Sequence, residues 1–224
     1  MDRREIHHLA QDLKNYLHYL AFLGLEALPE VDPPPEVARS APETLDRIKS
    51  DLGDCLRCPL AQGRTNLVFG EGPDRADLMF VGEGPGEEED RSGRPFVGAA
   101  GRLLTDIIVK GLKMRREDCY IANVVKCRPP SNRAPSPEEA QTCLPFLWRQ
   151  IAVVRPKIIV ALGRTAAQNL LETDEPLTRL RHRFHELEGL AIMPTFHPAA
   201  LLYDPGKKAP VWEDIKLVIA RLNR

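Results

Sequence analysis

Apolar segments of strand length alternate with helix-like segments from residue 43 onward, and this alternation constrains the fold more than any other feature. Strands are predicted at 78–81, 120–125 and 157–162, and near 183–188 and 190–195. Helices are predicted at 43–54, 99–111, from Pro137 onward, at 164–172 and at 210–222. This order predicts an α/β fold, a three-layer α/β/α arrangement with a mostly parallel central sheet.

The helix that begins at Pro137 has the clearest local signal. Ser136 is followed three residues later by Glu139, the spacing of a capping box, and proline suits the first helical position. The sequence therefore predicts that this helix begins directly after Ser136.

The first 42 residues have a different pattern from the rest of the chain. Apolar side chains recur at helical spacings between residues 3 and 28, namely Ile6, Leu9, Leu13, Leu17, Leu20 and Leu23. The proline-rich stretch LPEVDPPPEVARSAPE follows and favours an extended linker. We predict an N-terminal amphipathic helix and linker over 1–42, docked on the body or on an unidentified partner, and one domain over 43–224.

Composition excludes few functions, but it limits the cellular compartment in which the protein is expected to act. Hydrophobic residues make up 43% and charged residues 28%, and no apolar run is long enough to cross a bilayer. The N-terminus lacks a basic segment followed by a continuous apolar one, so we expect no secretory signal, no membrane partner and a cytoplasmic protein.

The charge is unevenly distributed along the chain. Residues 1–54 hold 6 basic against 11 acidic side chains, and the remainder 25 against 21. That mildly basic remainder permits phosphate contacts without requiring them.

Five cysteines in a reducing compartment favour metal ligation over disulfides. Cys55 and Cys58 form a CxxC pair, and Cys127 and Cys143 lie 16 residues apart. If the fold brings the two pairs together, four thiolates suit a [4Fe–4S] cluster or a tetrahedral zinc ion, and spacing alone does not decide between iron and zinc. A redox dithiol is disfavoured by its context, and Cys119 is predicted to be a buried core residue.

The loop after the first strand is rich in glycine. Gly82, Gly84 and Gly86 fall within five residues, which permits a close approach of the backbone to a ligand, although a plain tight turn explains the glycines equally well. Phe96 then lies in a loop between glycines, where an aromatic ring is either part of the core or a platform for a base.

Two further polar residues fall at strand ends. Asn123 interrupts an apolar strand, and its amide offers both a donor and an acceptor, the complement of a pyrimidine edge. His197 follows the strand that ends at Thr195. Each has an ordinary structural explanation when taken alone. Together with the glycine loop they predict a ligand site at the carboxyl edge of the sheet.

These motifs resemble those of a known family. The segments GEGPGEEEDRSGRPFVGAAGRLL, YIANVVKCRPPSNRAPSPEE and PTFHPAALL, with four cysteines in order, are similar to the family 4 uracil-DNA glycosylases, which hold an iron–sulfur cluster. The resemblance covers residues 44–224. It implies the uracil-DNA glycosylase fold, a [4Fe–4S] cluster on Cys55, Cys58, Cys127 and Cys143, and a monofunctional enzyme of base excision repair.

The resemblance also implies roles in base recognition. Uracil flipped out of DNA would stack on Phe96, while Asn123 binds its O4 and N3–H. Glu89 would fill the space near C5 and exclude the methyl group of thymine. Leu201 or Leu202, just after His197, would lie on the intercalating loop and would be the wedge that enters the DNA.

Catalytic roles follow from the same resemblance. His197 would donate a hydrogen bond to uracil O2 as negative charge develops there, and the backbone amides of Glu83 and Gly84 would add to it. Gly84 stands where the best-known glycosylase branch has an aspartate, so we assign Glu83 a part in placing water. No lysine is expected to attack the sugar, and the predicted product is an abasic site in an intact strand.

Two alternatives remain at this stage. The chain could remove another deaminated base such as xanthine or hypoxanthine, or it could be a non-catalytic iron–sulfur module that binds DNA. We expect a monomer that binds uracil-containing DNA.

Overall fold

The structure is a computed structural model that describes residues 13, 14, 17, 43–187 and 189–223. The chain divides into two compact units, Met1–Pro42 and Glu43–Arg224. The predicted N-terminal helix lies outside the described residues, apart from Leu13, Lys14 and Leu17, which are helical. No helix among the described residues combines the length and the apolar character needed to span a membrane.

A five-stranded sheet forms the centre of the second unit, in the order β2-β1-β3-β5-β4. The first four strands of that order are parallel, and β4 pairs antiparallel with β5. Their bounds are β1 Leu78–Gly82, β2 Tyr120–Asn123, β3 Ile158–Leu162, β4 His185–Leu187 and β5 Leu190–Thr195. The predicted α/β class and mostly parallel sheet are confirmed.

Helices cover both faces of this sheet. They are α1 Leu45–Leu52, α2 Glu87–Ser92, α3 Ala99–Asp106, α4 Pro137–Val154, α5 Arg164–Leu171, α6 Leu177–Leu180, α7 Pro198–Tyr203 and α8 Lys208–Leu222. A π-helical segment, Ile107–Leu112, continues α3. The predicted cap of α4 is confirmed, because Ser136 Oγ accepts from Glu139 N at 3.2 Å and Glu139 Oε2 accepts from Ser136 N at 2.7 Å.

The side chains of the buried strands alternate between two cores. Met79 and Val81 of β1 pack with α1, α4 and α5, whereas Leu78 and Phe80 pack with α3, the π-helical segment and α8. All five residues of β1 and of β3 are buried, as expected when helices cover both faces. The sheet is therefore the middle layer of three.

The structure corrects the sequence prediction at two places. The strand predicted over 120–125 ends at Asn123, since the successive N–H groups of Val124 and Val125 bond to Gly82 O and Glu83 O, which ends the alternation of a strand. The segment after His197, predicted as a loop, is helix α7, with Pro198 at its first position. Helices α2 and α6 were not predicted.

Candidate active site

A pocket of about 350 Å³ opens at the carboxyl edge of the parallel strands. The strands β1, β2 and β5 all end at this edge, which is where α/β folds bind ligands. The volume is that of a small-molecule site. The predicted residues that line the pocket are Glu83, Gly84, Glu89, Phe96, Asn123 and His197.

Asn123 is the last residue of β2 and is 1% exposed. Its Oδ1 is buried and has no hydrogen-bond partner among the described residues, which is costly unless a ligand supplies a donor. A methyl group on Gly82 would lie 2.5 Å from this oxygen and 2.5 Å from the Phe96 ring. The glycine therefore lets the amide and the ring share one wall of the pocket.

Phe96 is held in a left-handed conformation with φ of 52°. For a bulky residue this costs about 1–3 kcal/mol, and such strain is typical of functional sites. The Glu89 carboxylate secures the turn by accepting from Val97 N and Gly98 N, both at 2.8 Å. The ring is 7% exposed, and its centroid lies 5.5 Å from that of His197. Phe96 thus belongs to the core and to the pocket wall at once.

Glu89 has two roles in the site that the sequence analysis did not connect. One oxygen, Oε1, makes both bonds to the loop that holds Phe96. The side chain also lines the pocket, and Oε2 lies 2.8 Å from the place where a Cβ on Gly86 would stand. The carboxylate therefore supports the aromatic wall and borders the ligand space.

The His197 ring caps helix α7. Its Nδ1 accepts from Ala199 N at 3.2 Å, so the proton of the neutral imidazole is on Nε2, and no described residue bonds to that nitrogen. Burial lowers the pKa of His197 to about 4, and Glu89 opposes this effect only in part. Gly163, with φ of 90°, lets the ring approach, since a Cβ there would lie 3.1 Å from His197 Cβ. The ring is therefore a neutral hydrogen-bond donor at neutral pH.

Glu83 follows β1 and also lines the pocket. Its carboxylate accepts a hydrogen bond from Thr165 Oγ1 on α5, a residue to which the sequence assigned no role. Gly84 is packed closely, since a Cβ there would lie 2.7 Å from Val125 Cγ2. Glu83 is the acidic residue of the glycine loop at 82–86, and Thr165 fixes the direction of its side chain.

The four predicted cysteine ligands surround a second, small cavity between α1, the loop after β2 and α4. Arg57 Nη1 donates to Cys55 Sγ at 3.3 Å, and Arg64 Nη1 donates to Cys127 Sγ at 3.3 Å. Burial raises the pKa of Cys143 to about 11. No group of three or more His, Cys, Asp or Glu side chains among the described residues is arranged for a single metal ion. Cys119 is 1% exposed in the core, as predicted.

The model of the Uracil DNA glycosylase superfamily matches residues 69–216. The chain belongs to this superfamily. It is 45% identical over 184 residues to the Type-4 uracil-DNA glycosylase of Sulfurisphaera tokodaii, which covers 79% of this chain and 84% of the relative. The Type-4 uracil-DNA glycosylase of Thermotoga maritima is 48% identical over 162 residues, 71% and 84% of the two chains. That of Archaeoglobus fulgidus is 43% identical over 184 residues, 79% and 92%.

Within this superfamily member, the structure corrects the assignment of the DNA wedge. Leu201 is 3% exposed and packs in the core beside α3 and α8, so it cannot enter DNA without unpacking. Leu202 is 49% exposed, and Tyr203 is 90% exposed at the rim of the pocket. Consecutive side chains of a helix point about 100° apart, so the helical geometry of α7, which the sequence analysis missed, buries Leu201 and leaves Leu202 exposed.

Arg128 and Arg133, in the loop after Cys127, have partners within the protein. Arg128 Nε donates to Asn132 Oδ1 at 2.8 Å, and Arg133 makes two bonds to Glu139, at 2.7 and 2.8 Å. The loop is thereby fixed to the start of α4.

Sequence reasoning missed Lys126, although it lies inside the second motif. The side chain is among the largest that are fully buried, and it is not one of the residues that line the pocket. A lysine directly after an apolar strand sequence was the available signal, because buried ammonium groups need specific partners.

Proposed function

We propose that this protein is a uracil-DNA glycosylase that flips uracil out of DNA and hydrolyses its N-glycosidic bond, leaving an abasic site for base excision repair. The observation that carries the proposal is the buried Oδ1 of Asn123, which has no hydrogen-bond partner among the described residues and lies in a pocket walled by Phe96 and His197. A base edge that offers an N–H at this point satisfies the oxygen. The Type-4 relatives, which cover most of this chain, are named for this activity.

Uracil is selected by the Asn123 amide. Oδ1 accepts from uracil N3–H, and the amide N–H group donates to O4. Cytosine presents an amine in place of O4 and an unprotonated N3, so each of its groups meets the wrong partner. Phe96 stacks on the flipped base, and Glu89, fixed by Val97 and Gly98, fills the space beside C5 where thymine has a methyl group.

Bond cleavage leaves negative charge on uracil and positive charge on the sugar. As the bond between C1′ and N1 breaks, its electron pair moves to the uracil ring, and His197 donates from Nε2 to O2. The main-chain amides of Glu83 and Gly84 add to this stabilisation. Water then bonds to C1′ and gives up a proton to the solvent, from which the uracil anion takes one, and the Glu83 carboxylate, oriented by Thr165, directs the approach of the water.

The pocket reaches DNA through the helix that follows His197. Extrusion of a nucleotide leaves a gap in the stack, and Leu202, an exposed apolar side chain on the helix that follows His197, can fill it. We assign the wedge to Leu202 alone.

We further propose a [4Fe–4S] cluster held by Cys55, Cys58, Cys127 and Cys143. The donor set fits: four thiols surround one cavity, and two of them accept from arginines, which suits thiolates. Held by these cysteines, the cluster would brace the loop after β2, which is a structural rather than a catalytic role.

The protein is proposed to act as a cytoplasmic monomer. All the proposed site residues lie in 43–224, so we propose that residues 1–42 are not required for catalysis.

The activity is tested with a panel of oligonucleotides that each contain one uracil, hypoxanthine, xanthine, thymine or cytosine. After incubation with the iron-loaded protein, alkali cleaves any abasic site. Cleavage confined to uracil supports the proposal. Cleavage confined to hypoxanthine or xanthine makes the protein a glycosylase for another base, and binding without cleavage makes it a non-catalytic DNA-binding module.

A further inference from the structure

Lys126 is a buried ammonium group located between the uracil pocket and the cysteine cavity. Its side chain is 1% exposed, and it lines the cavity that Cys55, Cys58, Cys127 and Cys143 surround. Its Nζ donates to the main-chain oxygen of Asn123 at 2.8 Å and to Gln150 Oε1 at 2.7 Å. The residue thus touches the backbone of the amino acid that selects the base.

The Asn123 carbonyl lies on the outer edge of β2, an edge strand of the sheet. On this edge Ile121 is paired by a short antiparallel bridge to Glu71, with bonds of 2.7 and 2.9 Å. Alternate residues of a strand direct their polar groups to the same side, so Asn123 faces the same edge two residues farther on. There the Lys126 ammonium supplies the donor that a neighbouring strand would otherwise provide.

Gln150 connects the contact between Lys126 and Asn123 to the segment of Phe69 and Glu71, which pairs with β2. Its Nε2 donates to Phe69 O at 2.9 Å and to Tyr120 Oη at 3.0 Å, while its Oε1 accepts from Lys126. Gln150 is fully buried on α4. The network therefore joins helix α4 to the carboxyl end of β2 through a single ammonium group.

Burying an ammonium group is expensive, and an apolar side chain of the same length would pack there at lower cost. The bond from Lys126 Nζ to Asn123 O gives the buried ammonium group a function. When the main chain at Asn123 is fixed, the direction from which its side-chain amide enters the pocket is fixed as well. A hydrogen bond to a base weakens steeply with misalignment.

We propose that Lys126 is a positioning residue for uracil recognition, which holds the Asn123 backbone so that its amide meets the uracil edge. The inference rests on the proposed function, and it also connects the cysteine cavity with base selection, since Lys126 is adjacent to Cys127. Lys126 contacts neither the base nor the sugar.

The test is Lys126→Met, which keeps the length of the side chain and removes its donors. Binding is measured on two duplexes, one with a non-cleavable 2′-fluoro-deoxyuridine and one with a tetrahydrofuran abasic analogue. We expect affinity for the uracil duplex to fall about tenfold, the size of one hydrogen bond, and affinity for the abasic duplex to stay unchanged. Lys157→Met, which removes an exposed lysine paired with Asp77, is the matched control and should change neither.

A double-mutant cycle distinguishes positioning from general support. In the Asn123→Ala background, Lys126→Met should have no further effect on uracil binding, because the amide that it positions is gone. Equal losses on both duplexes, or losses that add in the double variant, would overturn the proposal, and so would unchanged uracil affinity.

Iron content and the visible absorbance of the cluster are measured for every variant. If Lys126→Met lacks its cluster, Gln150→Leu takes its place under the same criteria, since it removes the other acceptor of the ammonium group and leaves Lys126 intact. A wild-type protein that fails to excise uracil refutes the proposed function. If the wild type excises uracil but Lys126→Met or Gln150→Leu loses the same affinity for both duplexes, this inference alone is refuted.

Discussion

Replacement of His197 tests whether the leaving base is stabilised by a neutral imidazole. With a pKa of about 4, protonating the ring at pH 7 costs about 4 kcal/mol, so the ring acts through its Nε2–H and not as a cation. Losing one such donor typically lowers the rate about 10²–10³-fold. We therefore expect His197→Ala to lower single-turnover uracil excision by about 10²-fold or more, with affinity for uracil DNA nearly unchanged.

The same replacement also removes the cap of helix α7, which costs about 0.5–2 kcal/mol of stability. His197→Asn separates the two effects, because asparagine is a good capping residue but does not present the imidazole donor. Both variants should be slow, and only His197→Ala should be less stable. His185→Ala, which removes a histidine bonded to Leu180 O and absent from the pocket wall, is the matched control and should be fully active.

The pH dependence completes this prediction. A neutral donor predicts that the difference in rate between wild type and His197→Asn is constant from pH 6 to 8. The unfolded chain takes up a proton near pH 6.5 and the folded one near pH 4, so wild type should lose up to about 3 kcal/mol of stability relative to His197→Asn as the pH falls through this interval. A rate that drops tenfold per pH unit above 6.5 in wild type, but not in His197→Asn, would refute the neutral donor.

Four further predictions follow from the site. Asn123→Asp should slow uracil excision and admit cytosine, because a carboxyl group offers a different donor pattern, and unchanged selectivity would remove Asn123 from base recognition. Leu202→Ala should slow excision from duplex more than from single-stranded DNA, and an equal effect on both would exclude a wedge. Anaerobically purified protein should contain about four irons with matching sulfide, whereas stoichiometric zinc would overturn the cluster. A chain that begins at Glu43 should keep full excision activity, and its loss in a folded, iron-loaded chain would make residues 1–42 part of the site.

The sheet and the pocket could be predicted from the sequence because they depend on local patterns. Continuous apolar runs mark strands that are buried on both faces, and parallel strands bring their carboxyl ends together wherever the chain runs between them. The glycine loop at 82–86, Asn123 and His197 could therefore be placed at one edge without knowledge of the intervening loops.

The sequence analysis missed the features that depend on how distant parts of the chain pack together. Helix α7 has a proline at its first position and a histidine cap, which are weak signals in six residues, so Leu201 was placed on a loop although it belongs to the core. The pairing of Thr165 with Glu83 joins residues 82 positions apart, and the bond from Lys126 to Gln150 spans 24. No periodicity in the sequence reports such pairs.

The most direct test of the central claim is mass spectrometry of a uracil-containing oligonucleotide after a single turnover. We predict the release of free uracil and an intact strand whose mass corresponds to replacement of the base by a hydroxyl group. Phe96, Asn123 and His197 would then surround an excision site that hydrolyses the glycosidic bond and leaves the backbone whole. An unchanged mass in the presence of iron-loaded protein, or a strand broken at the uracil position before any alkali is added, would contradict this account.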